Sequence, residues 1–361
     1  MFLNFINHLT FTSSLLITFI FSLFLFSLII FSWRFLNKKQ IIKKYEATQR
    51  VHQGEIPRLG GLVIYFSFWF YLLINDEKSL ANQVLFEILI SIIPIFLLIV
   101  KEDLTYNTSI KIRLAAMFIS CLIFFSICSI NLSDIQLPIF HSALNSNYIF
   151  LVLFFSFCCV VNMNGNNLID GVNGLLVMTN IFQLFALVYL TIISQDNSFK
   201  DLIFLFFLLQ ISFLIFNYPF GKIFMGDFGA YFNAFFLSSL IIEFISSHNS
   251  FSSMIAILVL FYPCYELLFS VIRKIKKNRN PFKPDSDHLH LRIFYILKRS
   301  NFSLKVSNSL VMPLLFIFWS SPFFLVISFY NSNMYIIFSI VFLIIIYNFI
   351  FNLLSRGNLN Q

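Results

Sequence analysis

Residues 11–33 read FTSSLLITFIFSLFLFSLIIFSW, twenty-three positions without a charge, and the chain then turns basic in RFLNKKQIIKKY, residues 34–45. An apolar run of this length matches the roughly 20 residues that a helix needs to cross a bilayer. A signal peptide carries basic residues before its apolar run and a small-residue cleavage site after it. Here no Lys or Arg precedes Arg34. The run is therefore expected to be a retained helix with its N-terminus outside.

Ten further apolar runs follow, at 59–75, 83–100, 112–130, 147–162, 173–194, 201–217, 230–247, 252–272, 308–330 and 333–353. Those at 147–162 and 201–217 are short, so their ends are soft. Only 11% of the residues are charged and the mean hydropathy is +0.86, against about 25% charged in an ordinary soluble domain. The expected fold is all-α, a polytopic membrane protein of about 11 helices forming one domain over residues 1–361. No internal repeat is visible, and the Phe/Ile/Leu tracts match a lipid solvent. The five cysteines, Cys121, Cys128, Cys158, Cys159 and Cys264, all fall inside apolar runs. They lack disulfide-framework or zinc spacing and are read as small packing residues.

Lys and Arg collect in cytoplasmic loops. With the N-terminus outside, the segments 34–58, 101–113, 162–172, 217–230 and 273–305 and the C-terminal tail are inside, and they hold 22 of the 24 Lys and Arg. Only Lys78 and Lys200 fall outside. This asymmetry sets the expected topology and accounts for the net charge of +8 through anionic headgroups and ligands rather than nucleic acid.

Each inner loop carries a polar cluster. RVHQGEIPRLGGL, residues 50–62, uses Pro57 and the Gly60-Gly61 pair to hold Arg58 at the membrane surface, as a phosphate contact or a plain basic anchor. KEDLTYNTSIKIRL, 101–114, sets the adjacent carboxylates Glu102 and Asp103 at a membrane boundary, with Lys111 and Arg113 beyond them. Adjacent acids repel unless solvated or bridged by a cation.

MNGNNLIDGVNGLL, 163–176, packs four Asn, one Asp and three Gly between apolar flanks. Asn164, Asn167 and Asp170 recur every three residues, so a helical turn puts them on one face. Unsatisfied amides at membrane depth are expensive, which favours a functional reading. FNYPFGKIFMGDFGAYF, 216–232, adds Asn217, Lys222 and Asp227. The glycines around Asp227 are expected to clear space for a hard cation such as magnesium, which takes one or two carboxylates plus substrate phosphates. The plainer reading is an Asp that caps a helix.

VIRKIKKNRNPFKPDSDHLHLRIF, 271–294, places His288, His290 and Arg292 two apart. An extended segment would point all three one way, as a reader of diphosphate or sugar hydroxyls. No Cys or further His is near enough in sequence to complete a zinc site. A transporter would place its polar groups near the bilayer midplane. A one-sided set of clusters points instead to a cytoplasmic-face site acting on something held in the membrane.

Taken in order, IPRLGGL, EDLTYNTSIKIRL, NGNNLIDGVNGLL, NYPFGKIFMGDFGAYF and PDSDHLHLRIF resemble the polyprenyl-phosphate N-acetylhexosamine-1-phosphate transferases (glycosyltransferase family 4) over residues 50 to about 294. The resemblance implies a Mg²⁺ enzyme, with Mn²⁺ as a substitute, in the bacterial cytoplasmic (inner) membrane with its site on the cytoplasmic face. It would move an N-acetylhexosamine 1-phosphate from a UDP-N-acetyl sugar to undecaprenyl phosphate and release UMP.

By the same resemblance Asp227 is the metal ligand, and Glu102 and Asp103 are the paired acids that bind metal or activate the lipid phosphate. Asp170, with Asn164 and Asn167, matches a motif organising the uridine and metal site, and His288 and His290 match the part that reads the sugar nucleotide. Two departures matter. An Asp-Asp pair here reads Glu102-Asp103, which favours Asp103 as the closer catalytic group. The second Asp of the DGxDG pattern is Asn173, as in the branch that starts O-antigen.

Arg58, Asn173, Asn217, Lys222 and Arg292 complete the expected substrate-binding set. The expected partners are undecaprenyl phosphate, the UDP-sugar and membrane lipids, with a homodimer left open. The competing functions are the phospho-MurNAc-pentapeptide translocase and a non-catalytic polyprenyl-phosphate binder or transporter.

Overall fold

A computed structural model describes residues 13–38, 56–75, 79–105, 109–128, 147–248, 250–283 and 285–356. It consists of fifteen helices among the described residues, with no strand. They are α1 (Ser13–Lys38), α2 (Gly60–Ile74), α3 (Leu80–Ser91), α4 (Ile93–Thr105), α5 (Ile110–Ile127), α6 (Tyr148–Ile169), α7 (Leu175–Ser194) and α8 (Lys200–Asn217), followed by α9 (Gly226–Ser246), α10 (Met254–Val259), α11 (Phe261–Lys276), α12 (Leu289–Arg299), α13 (Leu304–Leu314), α14 (Phe316–Phe329) and α15 (Asn333–Arg356).

Helix is the only local structure that satisfies every backbone polar group within its own segment, as a lipid environment demands. Short polar residues mark several starts. The side chains of Ser79, Ser109 and Ser303 each accept from an N–H in the following first turn, and Asn147 accepts from Ile149 and Phe150. Each bond relieves one of the four donors a helix leaves unpaired at its start.

Every apolar run from the sequence holds helix among its described residues, but the runs are not eleven equal spans. Eight spans among the described residues, with α13 and α14 together forming one of them, are long and apolar enough to cross a membrane, or nine if α3 and α4 count as one span bent by 41°. That bend falls at Ile92, two residues before Pro94, where proline leaves no N–H for the ladder. Helix α2, at 15 residues, is short for a crossing. The run at 252–272 divides into α10 and α11 at Leu260, so neither piece alone has the length of a crossing, and α11 carries Glu266, Arg273 and Lys274. The run at 147–162 continues to Ile169, which carries the Asn-rich motif onto the last two turns of α6. The run at 230–247 begins four residues earlier, at Gly226, and takes Asp227 into the helix.

Helix α9 is the axis of the bundle. Its most apolar window is wholly buried, against 22% for α1 and 28% for α15, and it packs on α6, α2, α4 and α7. The outer helices turn Phe24, Phe31, Ile345 and Phe349 outward, a pattern suited to lipid. Aromatic rings fill the inside: Phe236 stacks on Phe68 at 4.7 Å and meets Phe206 at 4.4 Å. Glycines set the two closest approaches. A Cβ on Gly61 of α2 would lie 2.0 Å from the Cα of Gly229 in α9, and one on Gly165 of α6 would lie 2.2 Å from the carbonyl oxygen of Pro263 in α11. Small residues permit such backbone contact between membrane helices. Buried amides add directional links, as Asn162 donates to Ala234 O and Ser238 Oγ across the α6–α9 interface.

Candidate active site

The starts of α2, α5, α7, α9 and α13 gather at one end of the bundle with the ends of α6, α8, α11 and α15. The centre of that end is Asp227, in the first turn of α9, where a carboxylate meets the positive end of the helix dipole. It makes no side-chain cap bond, because Met225 is the capping position. Arg58 lies 3.5 Å from Asp227 Oδ1 and Arg113 lies 3.7 Å from Oδ2, with Asp227 one-quarter exposed.

The glycines around Asp227 do not clear space for a ligand, which corrects the sequence expectation. The segment before α2 occupies that space. Phe224 N donates to Pro57 O at 2.9 Å, Gly60 N to Phe224 O at 2.9 Å and Gly61 N to Met225 O at 2.8 Å. Gly226 holds φ +79°, and a Cβ there would sit 2.2 Å from the Arg58 carbonyl oxygen. Only glycine tolerates both that dihedral and that neighbour. The glycines thus bring the Arg58 backbone against the start of α9.

Asp170 is the C-terminal capping residue of α6, its N–H bonded to Asn166 O. Asn164, Asn167 and Asp170 are each partly exposed while Asn162, Met163, Gly165, Asn166 and Ile169 are buried, so the three-residue spacing does produce one open face. Asn164 also donates to Val160 O at 2.8 Å. Desolvation pushes the Asp170 carboxyl well above the usual carboxylate range; the charge of Arg58 opposes that rise and Asp227 adds to it. Asp170, Arg58 and Asp227 therefore act on one another.

Asn173 and Asn217 brace the loops. Asn217 accepts from Gly174 N at 2.7 Å and donates to Ile223 O at 2.9 Å. Asn173 donates from its side chain to Pro219 O at 3.0 Å and from its backbone to Asn308 Oδ1 at 2.8 Å. Lys222 is exposed beside the Phe220 ring and lines an open crevice with Ser27, Ile30, Phe31 and Phe216. Glu102 and Asp103 lie on the last turns of α4, and their side chains fall outside the described residues.

The basic segment is folded by its own acids. Arg273 binds Asp285 at 3.1 Å and also Asp287. Lys274 donates to Pro281 O and Lys283 O, and Lys277 lies 3.6 Å from Asp287. Burial favours the neutral acid at Asp287, but hydrogen bonding to Arg292 and the charges of Arg273, Arg292 and Lys277 hold it below the usual carboxylate range.

His288, His290 and Arg292 do not form one row. Helix α12 begins at Leu289, and two helical residues turn about 200°. Arg292 therefore faces Asp287, Phe351 O and Ser355, with its guanidinium 3.7 Å from the Phe351 ring centroid. His290 faces the other way, and a Cβ on Gly171 would lie 2.8 Å from its Nε2. The missing side chain at Gly171 is what lets His290 lie against the turn that carries Asp170. Burial, partly offset by Glu266 and reinforced by His288, lowers the His290 pKa to about 4, so it is neutral near pH 7. Its Nδ1 has no partner among the described residues.

Sequence reasoning missed Glu266. Its Oε1 accepts from His288 Nδ1 at 3.2 Å and its Oε2 accepts from Tyr347 at 2.6 Å. A single acid inside an apolar run, YPCYELLFSV, was the available signal, the same signal that singled out Asp227. The pairing of Arg113 with Asp227 and the role of Asn308 join residues far apart in sequence, and no spacing announces them.

The fold and site define a polytopic helical protein with carboxylates, guanidiniums and imidazoles gathered at one end. Residues 85–245 match the family model described as Glycosyl transferase family 4. The chain is 27% identical over 328 residues to the undecaprenyl-phosphate alpha-N-acetylglucosaminyl 1-phosphate transferase of Thermotoga maritima, covering 90% of this chain and 94% of that one. It is 22% identical to the protein of the same name from Yersinia pestis, over 84% and 81% of the two chains. It is 24% identical to the phospho-N-acetylmuramoyl-pentapeptide-transferase of Buchnera aphidicola, over 63% and 71%. Residues 85–245 thus carry the pattern of glycosyl transferase family 4, and the relatives from Thermotoga maritima and Yersinia pestis that align over most of the chain are named N-acetylglucosaminyl 1-phosphate transferases.

Proposed function

We propose that the protein transfers an N-acetylhexosamine 1-phosphate, GlcNAc 1-phosphate in the first instance, from a UDP-sugar to undecaprenyl phosphate at the cytoplasmic face of the bacterial inner membrane. The product would begin O-antigen or another surface polysaccharide. The observation that carries the reading is the meeting of Asp227, Arg58, Arg113 and Asp170 with His290 at one end of the bundle, within a chain that carries the pattern of this family.

An oxygen of the lipid phosphate attacks the sugar-bearing phosphorus, the bond to the bridging oxygen breaks, and UMP leaves with the electron pair. Both reactants are anions, so charge neutralisation and alignment carry most of the catalysis. The site suits Mg²⁺: Asp227 keeps open lone pairs beside loose cation contacts, and Asp170 stands near enough to raise the cost of a second unbalanced carboxylate. These two residues would hold the ion, which when bound supplies charge neutralisation to the diphosphate. Arg58 and Arg113 move from Asp227 to phosphate oxygens as the substrate enters. Asp103 takes the last proton of the lipid phosphate. Neutral His290, buried against Gly171, sets the turn that carries Asp170 towards the sugar nucleotide.

Purified protein with undecaprenyl phosphate, Mg²⁺ and a panel of UDP-N-acetyl sugars tests the reading. UMP release with UDP-GlcNAc is the expected result. Turnover only with the MurNAc-pentapeptide donor would make it a peptidoglycan translocase, and no UMP from any donor would leave a non-catalytic lipid-phosphate binder. A phospho-enzyme trapped in a single turnover would replace direct attack by a two-step route.

A further inference from the structure

Glu266 is 1% exposed and holds no position at which substrate could reach it. Its two oxygens divide their work. Oε1 receives His288 Nδ1 at 3.2 Å and the Leu289 N–H at 3.4 Å, and Oε2 receives the Tyr347 hydroxyl at 2.6 Å. Tyr347 lies on α15, the last helix, which otherwise meets this end of the bundle through Phe351 and Ser355. On its far side His288 Nε2 lies 3.2 Å from Asp285, itself held by Arg273. The His288 and His290 rings are parallel within 8°, with centroids 5.8 Å apart, and His288 is the capping residue from which α12 starts.

We propose that Tyr347 is a positioning residue for the transfer reaction, pinning the Glu266 carboxylate so that His288 and, through the start of α12, His290 are set over the Asp170–Gly171 turn. Two contacts on one oxygen leave a carboxylate free to rotate about its terminal torsion. A third contact on the other oxygen fixes its plane. Both ring nitrogens of His288 then face carboxylates, Glu266 on one side and Asp285 on the other, each at 3.2 Å. The ring of Tyr347 also packs on Tyr265 and Phe269 at 5.0 and 5.1 Å, so the hydroxyl alone separates positioning from packing. The inference rests on the sugar-phosphate transfer proposed above, since it assigns Tyr347 a role in reading the UDP-sugar.

The test is Tyr347→Phe in the full-length protein, read by substrate kinetics and by diethyl pyrocarbonate labelling of His288 followed by peptide mass spectrometry. Loss of a hydrogen bond to a buried charge is expected to raise KM for the UDP-sugar about tenfold, with KM for the lipid phosphate little changed. His288 should label severalfold faster. Glu266→Gln should give the same split and covers the case in which Tyr347→Phe fails to fold. Tyr265→Phe is the control: its hydroxyl accepts from Asn348 across the same α11–α15 interface but does not reach His288, and it should leave both readouts unchanged.

Equal changes in both KM values, matched by Tyr265→Phe, would overturn the proposal in favour of general loosening. Unchanged labelling and kinetics in Tyr347→Phe and Glu266→Gln would overturn it outright. A wild-type protein that transfers no sugar phosphate would defeat the functional reading instead, and the labelling ratio would still report whether Tyr347 holds His288.

Discussion

Asp227 and Glu266 are both single acids in apolar sequence, IFMGDFGAYF and YPCYELLFSV, and the fold treats them in opposite ways. Asp227 is one-quarter exposed, and its cations stand off at 3.5 and 3.7 Å. Glu266 is 1% exposed with partners at 2.6 and 3.2 Å. Charge-assisted hydrogen bonds run near 2.7–2.9 Å, so Asp227 keeps lone pairs for a ligand while Glu266 has committed its own to protein. A solitary acid in a membrane helix marks something functional; whether it binds or braces depends on what the fold puts around it.

The largest effect should come from Asp227→Asn. Loss of the charge that would hold the cation is expected to lower kcat by about 100-fold or more, while the midpoint of thermal unfolding stays near that of the wild type because the carboxylate is partly solvated and loosely paired. Near-normal turnover would remove Asp227 from the site. Glu266→Ala should do the reverse first. It strands the Tyr347 hydroxyl and the His288 ring in the interior without their shared partner, a change expected to destabilise the fold by about 3 kcal/mol, and a thermal melt in detergent reads it. A variant as stable as the wild type would erase the contrast between the two acids.

Acid should weaken the braced side. The folded-state pKa of His290 is lowered to about 4 from 6.5, so between these values the unfolded chain binds more protons and stability falls as pH falls. This one ring contributes about 3 kcal/mol at most, all of it intact above pH 6.5. Melts at pH 7 and 4.5 should differ by less in His290→Gln than in the wild type; identical shifts would mean that the ring does not titrate as its burial requires. Arg113→Ala gives the smallest effect. A partly exposed pair at 3.7 Å contributes no more than about 1 kcal/mol to stability. A modest rise in KM for the UDP-sugar should therefore appear without a change in melting.

Much of the fold was legible because its solvent imposes it. Runs such as 173–194 and 201–217 lie within three residues of α7 and α8. The sequence misplaced elements where polarity interrupts a helix. The Asn-rich motif looked like a loop but continues α6, since Asn162 donates across to α9 and Asn166 donates back to Asn162. The basic segment looked extended but contains α12, whose amphipathic pattern is hidden by the number of its charges.

For the site, spacing correctly aligned Asn164, Asn167 and Asp170. It failed for the glycines at 226 and 229, because a glycine reads the same whether the space beside it holds a ligand or, as here, the backbone of Arg58 and Gly61. It also failed for Arg292, whose partner Ser355 lies on α15, 63 positions away.

The central claim is that the open acid at the head of α9 works in sugar-phosphate transfer. UMP release from UDP-GlcNAc on addition of undecaprenyl phosphate and Mg²⁺, measured side by side for the wild type and Asp227→Asn, tests it most directly. Release by the wild type and its collapse in the variant, at equal thermal stability, is the predicted result. Equal release by both proteins, or none by the wild type with any UDP-N-acetyl sugar, would contradict it.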